Sequence, residues 1–163
     1  MKSNMLEFLE ETTQRLPEKV SFYDDRESLT YAQLTEKAQR IGSCLAATAP
    51  PRTPVALLLE SRSIRNVSAM YGTLYAGCAY APLDIAMPPE RLKLLLDLMQ
   101  PSAVLADEKG ARAYEGLGMG FPLLRYADAE NADTDFEKLA AIRRQASVYD
   151  TSTHHTHILF LRP

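Results

Sequence analysis

Cys44 and Cys78 are the only two cysteines in the chain, far apart and outside any Cys-x-x-Cys spacing. That excludes a disulfide framework and suits a reduced intracellular protein, with both thiols expected as small buried apolar side chains. Glycine is also scarce, at seven in 163 residues. None of the turns that open a helix carries Gly-x-Gly-x-x-Gly or the lysine-bearing loop that cradles phosphates, and Gly116, Gly118 and Gly120 are too loosely spaced to count. No apolar run approaches the length of a membrane span. The first eleven residues hold Glu7, Glu10 and Glu11, which is wrong for a secretory signal, so a cytoplasmic location is expected. An excess of one charge is missing too. The 18 basic and 21 acidic residues are scattered and sum to −3, which offers no concentrated positive field to nucleic acid.

What remains is an ordinary apolar content of 46% in a length suited to one core. Asn4 with Glu7 reads as a capping box, and Met5, Leu9, Thr12 and Leu16 follow on one helical face until Pro17. Residues 19–24 have strand character. Thr30 and Gln33 form a second capping box, and Leu34, Ala38, Ile41 and Leu45 continue at helical spacing to about residue 47. The run Val55-Ala56-Leu57-Leu58-Leu59 has the pattern of a strand buried on both faces. Ser61 can cap a third helix with an apolar side of Ile64, Val67, Met70, Tyr71, Leu74 and Tyr75, and Gly77 is placed to end it. A strand over residues 79–83 precedes a helix opened by Pro88 and Pro89, with Leu92, Leu95, Leu96 and Met99 facing the core. Then come a strand at 103–106, a helix at 108–117, a turn-rich loop at 116–120, a strand at 123–126 and a helix at 136–146 with Phe136, Leu139 and Ile142 as its apolar positions. Helices alternating with buried strands predict an α/β domain, a mostly parallel sheet with helices on both faces.

Few residues suggest chemistry. His154, His155 and His157 lie close together, but no Cys, Asp or Glu stands near to complete a coordination shell, so an irregular tail is the expectation. Asp24, Asp25 and Glu27 read as solvated acids of a turn between strands, and Arg143 with Arg144 as a helix surface. Tyr71, Tyr75 and Tyr80 flank Gly77, where core packing with hydroxyls reaching the surface is expected.

Three stretches carry a family resemblance. Leu29-Thr30-Tyr31-Ala32-Gln33-Leu34 resembles a Leu-Thr-Tyr-x-Glu-Leu motif, with Gln33 where glutamate is usual. Leu74-Tyr75-Ala76-Gly77-Cys78-Ala79-Tyr80-Ala81-Pro82-Leu83-Asp84 is similar to Leu-Lys-Ala-Gly-x-Ala-Tyr-Val-Pro-Ile-Asp, with Tyr75 replacing lysine and Ala81 replacing valine. Pro88-Pro89-Glu90-Arg91-Leu92, followed by Pro101-Ser102-Ala103-Val104-Leu105, resembles a Pro-x-x-Arg helix and its following strand. Together they resemble the N-terminal subdomain of adenylate-forming enzymes, in particular the adenylation domains of nonribosomal peptide synthetases and the D-alanine–carrier protein ligases. The Tyr-x-Pro-x-Asp ending points to amino-acid activation over the fatty-acyl and acetyl branches.

In a complete member, the resemblance implies, ATP and an amino acid give an aminoacyl-adenylate and pyrophosphate, with magnesium, and the acyl group passes to a carrier-protein thiol. The family's Thr-Ser-Gly-Ser-Thr-Gly phosphate loop should follow Ile158-Leu159-Phe160, where Leu161-Arg162-Pro163 stands instead. Thr-Ser-Gly written ACG-TCC-GG, preceded by TT and read out of frame, gives Leu-Arg-Pro. The expectation is therefore a partial subdomain over residues 1–150 and a frameshifted tail over 151–163, inactive alone, with no catalytic, cofactor-binding or metal residue assigned. Two other readings stay open. One is a non-catalytic module that docks or self-associates through uncovered core surface, and the other is one chain of a split enzyme whose partner supplies the missing C-terminal portion.

Overall fold

The computed structural model describes residues 4–149. The first helix, α1 (Met5–Arg15), is N-capped by Asn4, whose Oδ1 accepts from the Leu6 amide at 2.9 Å. This departs from the expected capping box, because the Glu7 amide goes to the Asn4 carbonyl at 3.1 Å instead. The buried face is also rotated from the expected one: Leu6 and Leu9 are buried, whereas Met5 and Leu16 are 48% and 43% exposed.

Strand β1 (Val20–Tyr23) pairs antiparallel with β2 (Ser28–Thr30), a two-stranded ribbon apart from the main sheet. The turn between them is where Asp24, Asp25 and Glu27 sit. Helix α2 (Tyr31–Thr48) follows with a complete capping box: Gln33 N donates to Thr30 Oγ1 at 3.3 Å and Thr30 N to Gln33 Oε1 at 2.9 Å. Such a cap is worth about 1 kcal/mol, and the predicted stripe Leu34, Ala38, Ile41 and Leu45 is fully buried.

The parallel sheet is built next, from β3 (Pro54–Leu58), β4 (Ala79–Pro82), β5 (Ala103–Ala106) and β6 (Leu123–Arg125), in the order β4-β3-β5-β6. Val55 lies opposite Tyr80 on one side and Ala103 on the other, and Val104 opposite Leu123. Helix α3 (Arg65–Tyr75) links β3 to β4, α4 (Pro89–Met99) links β4 to β5, and α5 (Glu108–Glu115) links β5 to β6. A short α6 (Tyr126–Ala129), unforeseen in the sequence, and α7 (Phe136–Tyr149) complete the order.

Alternation along β3 and β5 divides the core. Val55, Leu57, Leu59, Ala103 and Leu105 face α2, α3 and α6, while Ala56, Leu58, Val104 and Ala106 face α4 and α5. A third cluster joins Leu6, Leu9 and Leu139 to Leu34, Ala38 and Tyr75, so α1 and α7 form an outer layer over α2 and α3. The α/β architecture with a parallel sheet covered on both faces is therefore present.

One expectation for α3 fails and another holds only in part. Ser61 does not cap it: α3 starts after Ile64 with no side-chain cap on that residue, and Asp24 takes the Ile64 amide instead. Its buried positions are Ser68, Ala69, Gly72, Thr73 and Tyr75; of the expected side Ile64 and Tyr75 are buried, whereas Val67, Met70, Tyr71 and Leu74 are only partly so. Gly77 does follow the helix in the left-handed conformation, at φ 71°, where a Cβ would strain the turn. At the end of α4, Gln100 takes φ 48° before Pro101. Phe136, expected on the core face of α7, is 64% exposed, while Leu139 and Ile142 are buried.

Candidate functional site

Strands β3 and β5 are neighbours, yet their following helices lead to opposite sides of the sheet, α3 toward β4 and α5 toward β6. In open α/β sheets the crevice outside the carboxyl ends at such a switch point is where ligands bind. Glu60 and Asp107 stand there, just past β3 and β5. Asp107 Oδ2 accepts from the Glu60 amide at 2.6 Å, and Asp107 Oδ1 caps α5 through the Gly110 amide at 2.8 Å. Gly110 is needed at this join because a Cβ there would lie 1.8 Å from the Leu58 carbonyl oxygen.

The Glu60 carboxylate is held on both oxygens, by Lys109 Nζ at 2.7 Å and Arg26 Nη1 at 3.0 Å. These bonds, Lys109 first, hold its carboxyl below the ordinary range. Asn66 Nδ2 donates to the Glu60 and Ser63 carbonyls. Asp24 is not the freely solvated acid expected from the sequence. Its Oδ1 accepts from the Arg26 and Glu27 amides and its Oδ2 from Ile64 N at 3.0 Å, which lowers its carboxyl as well, the Ile64 bond acting most. The hairpin turn is thereby fixed to the start of α3.

The carboxylates of this edge are tied into the scaffold. Each named carboxylate already accepts two or more hydrogen bonds, so none is poised as a general base. Among the described residues no group of His, Cys, Asp and Glu could hold a metal ion.

A second concavity, a polar cleft of about 340 Å³ between the hairpin, α2 and the loop after α6, is lined by Glu27, Gln33, Glu36, Lys37, Arg40 and Glu130 among others. Lys37 pairs with Glu130 at 2.7 Å and Arg40 with Glu36 at 2.6 Å. With its cations already paired, the cleft offers no field for a phosphate.

The residues singled out in the sequence fall into place as scaffold. Cys78 is buried and Cys44 partly so, and burial raises both thiols, away from reactivity. Tyr75 is 6% exposed and its hydroxyl donates to Glu10 Oε1 at 3.1 Å; burial first, then the Glu10 carboxylate, raises it. Arg143, expected on a helix surface, is 38% exposed there and pairs with Glu10 at 2.6 Å and 2.5 Å. Sequence reading missed Tyr126, which is 1% exposed and hydrogen-bonded to Ser68 Oγ at 2.7 Å, with Arg65 5.5 Å over its ring. Its signal, one tyrosine in a four-residue helix, is too short for periodicity to register. Burial pushes its hydroxyl up to about 12. His154, His155 and His157 and the 151–163 tail lie outside the described residues.

The resemblance motifs occupy the same scaffold. Residues 29–34 carry β2 into α2, residues 74–84 run from α3 through Gly77 along β4, and Asp84 Oδ1 accepts from Ala86 N at 2.9 Å to turn toward α4. Comparison with known proteins agrees with this placement. The family model described as AMP-binding enzyme matches residues 9–158. A linear gramicidin synthase of Brevibacillus parabrevis is 34% identical over 132 residues, covering 77% of this chain and 2% of its own length. Among solved structures, the nonribosomal peptide synthetase FmoA3 in its alpha-methyl-L-serine-AMP-bound form superposes with a TM-score of 0.70 at 30% identity, over 79% of this chain and 15% of that one. NpsA-ThdA, an artificially fused adenylation–PCP di-domain from Klebsiella oxytoca, shares the fold at a TM-score of 0.68 and 19% identity, over 79% and 24% of the two chains. The chain thus spans a small fraction of the relatives it matches. By its matched residues and its sheet, it belongs to the AMP-binding enzyme family, as an N-terminal adenylation-domain segment of the adenylate-forming superfamily.

Proposed function

We propose that these residues serve as the scaffold subdomain of an enzyme that activates an amino acid with ATP, and that they do not catalyse the reaction by themselves. The observation that carries this reading is the stretch Leu74 to Asp84, which resembles the amino-acid-activating branch and forms the α3–β4 unit of the parallel sheet. The relatives point the same way, since one is a linear gramicidin synthase and another holds alpha-methyl-L-serine-AMP.

In the proposed reaction the amino-acid carboxylate attacks the α-phosphorus of ATP, the bond to pyrophosphate breaks, and an aminoacyl-adenylate results. The acyl group then moves to a carrier-protein thiol with release of AMP. Stabilising charge on the transferring adenylyl group is the main task of such a site. The charged groups at the carboxyl edge of β3 and β5 are bound to one another. They support instead a structural role, in which they fix the hairpin, α3 and α5 beneath a reaction carried by residues elsewhere.

Amino-acid-dependent exchange of labelled pyrophosphate into ATP tests the proposal. The 163-residue chain alone is expected to give none with any amino acid. Exchange by the purified chain would refute the scaffold role, and exchange restored only by a separately expressed C-terminal portion would identify a split enzyme.

A further inference from the structure

The hairpin of β1 and β2 stands apart from the parallel sheet, and among the described residues β1 has no strand on its other side. Its sequence, Val20-Ser21-Phe22-Tyr23, is rich in strand-forming residues, and Val20, Phe22 and Tyr23 are 49%, 40% and 79% exposed. The open side of β1 also carries backbone groups. Asp24 N donates to the Glu27 carbonyl at 2.9 Å, and bonded pairs alternate with unbonded ones along an antiparallel ladder. Tyr23, opposite Ser28, is therefore an unbonded position whose N–H and C=O point away from β2.

The other edges differ. Strand β4 bonds to β3 through the Ala79 and Leu83 amides, so Tyr80 and Pro82 face its open side, and a proline has no amide to give. Strand β6 is three residues long and runs straight into α6. Ser28 and Leu29 of β2 line the polar cleft. Leu94 and Leu98 of α4 are exposed as well, but a helix satisfies its own backbone groups and needs no pairing partner. Exposed apolar side chains and unpaired backbone groups coincide at β1.

We propose that β1 is a self-association edge, which pairs antiparallel with β1 of a second copy of this chain about a two-fold axis at Phe22. The charges flanking the strand select this partner and this direction. Glu18 and Lys19 precede β1, Asp25 and Arg26 follow it in the turn, and all four are exposed. The antiparallel arrangement brings Lys19 of each copy to Asp25 of the other and Glu18 to Arg26, whereas a parallel one would set like charges side by side. Glu18, Lys19 and Asp25 enter no ion pair among the described residues. Arg26, bonded to Glu60 through Nη1, is 71% exposed and has further donors. Tyr23 comes to lie across from Ser21 of the second copy, and Phe22 across from Phe22. The two ribbons then form one four-stranded antiparallel sheet, which is more stable than a two-stranded ribbon standing alone. The register shift between Val20 and Phe22 confines the pairing to a short stretch, so the dimer is weak and reversible. The inference does not depend on the proposed adenylation activity.

Sedimentation velocity of the full 163-residue chain at concentrations up to about 0.5 mM tests it. A monomer–dimer equilibrium is expected. Tyr23→Lys should weaken the dimer by about tenfold or more, while far-UV circular dichroism stays unchanged because that side chain is 79% exposed. Lys19→Asp alone and Asp25→Lys alone should each weaken it by about threefold or more, and the double variant should return to within about twofold of the unmodified chain. Such rescue belongs to this register and not to general hydrophobic association. A chain that stays monomeric throughout the range would overturn the proposal. So would a dimer that Tyr23→Lys leaves intact, that Leu98→Glu dissolves instead, or that the exchange of charges fails to restore.

Discussion

The two faces of the parallel sheet are built differently. On one face α2 and α3 lie between the sheet and an outer layer of α1 and α7, and their contact is made of small residues. A Cβ on Gly42 would lie 2.6 Å from Tyr75 Cβ, and one on Gly72 would lie 2.5 Å from Ile41 Cγ2. On the other face α4 and α5 are outermost. Helix α4 buries Leu92 and Leu96 and leaves Leu94 and Leu98 57% and 72% exposed. A helix enclosed on both sides cannot keep large side chains everywhere, so backbone proximity sets its spacing; a helix with one wet side keeps an ordinary leucine stripe.

Gly72→Leu should probe the enclosed contact most severely. The added side chain meets Ile41 and the Ala38 carbonyl, and urea unfolding is expected to show a loss of about 3 kcal/mol. A loss below about 1 kcal/mol would mean that the two helices can move apart freely.

Tyr126→Phe is a smaller perturbation of the same face. It leaves the ring in place but strands the buried Ser68 hydroxyl, which keeps only its bond to the Arg65 carbonyl, and a loss of about 1–2 kcal/mol is expected. The pH dependence has a definite sign. The folded-state value for Tyr126 is raised from its ordinary 10 to about 12, so its contribution is complete below pH 10 and lost as pH rises through 12. An alkaline unfolding limb in that window should shrink in Tyr126→Phe, and an unchanged limb would assign it to other tyrosines.

On the wet face, Leu98→Glu is expected to change stability by no more than about 0.5 kcal/mol. A larger loss in the same denaturation experiment would show that Leu98 is covered in solution and that the faces are more alike than described.

The contrast also explains what the sequence disclosed. Where a helix keeps a polar side, as α4 does and as α2 does along Gln33, Glu36, Lys37 and Arg40 despite the layer over it, apolar spacing identifies the core: Leu92, Leu95, Leu96 and Met99 of α4 and Leu34, Ala38, Ile41 and Leu45 of α2 were legible. For α3 the same rule selected Ile64 and Tyr75, which are buried, and Val67, Met70, Tyr71 and Leu74, which lie at partly buried positions, while Ser68, Ala69, Gly72 and Thr73 face the tight side. Hydrophobicity does not mark close backbone approach. Long-range polar contacts were equally hidden. Nothing local to Asp24 indicates that it will take the Ile64 amide forty residues away, nor does Arg143 signal Glu10. The family, by contrast, was legible in residues 74–84, because Gly77 in its left-handed turn and the strand after it are specified within a few positions.

The charged groups of this sheet edge bind one another and the scaffold, which predicts that they offer no site to nucleotide. Equilibrium dialysis of the chain against labelled ATP with magnesium tests it most directly. No saturable binding is expected up to about millimolar ATP, a range in which a dedicated site would fill. Saturable binding that AMP displaces and that Lys109→Ala abolishes would contradict it.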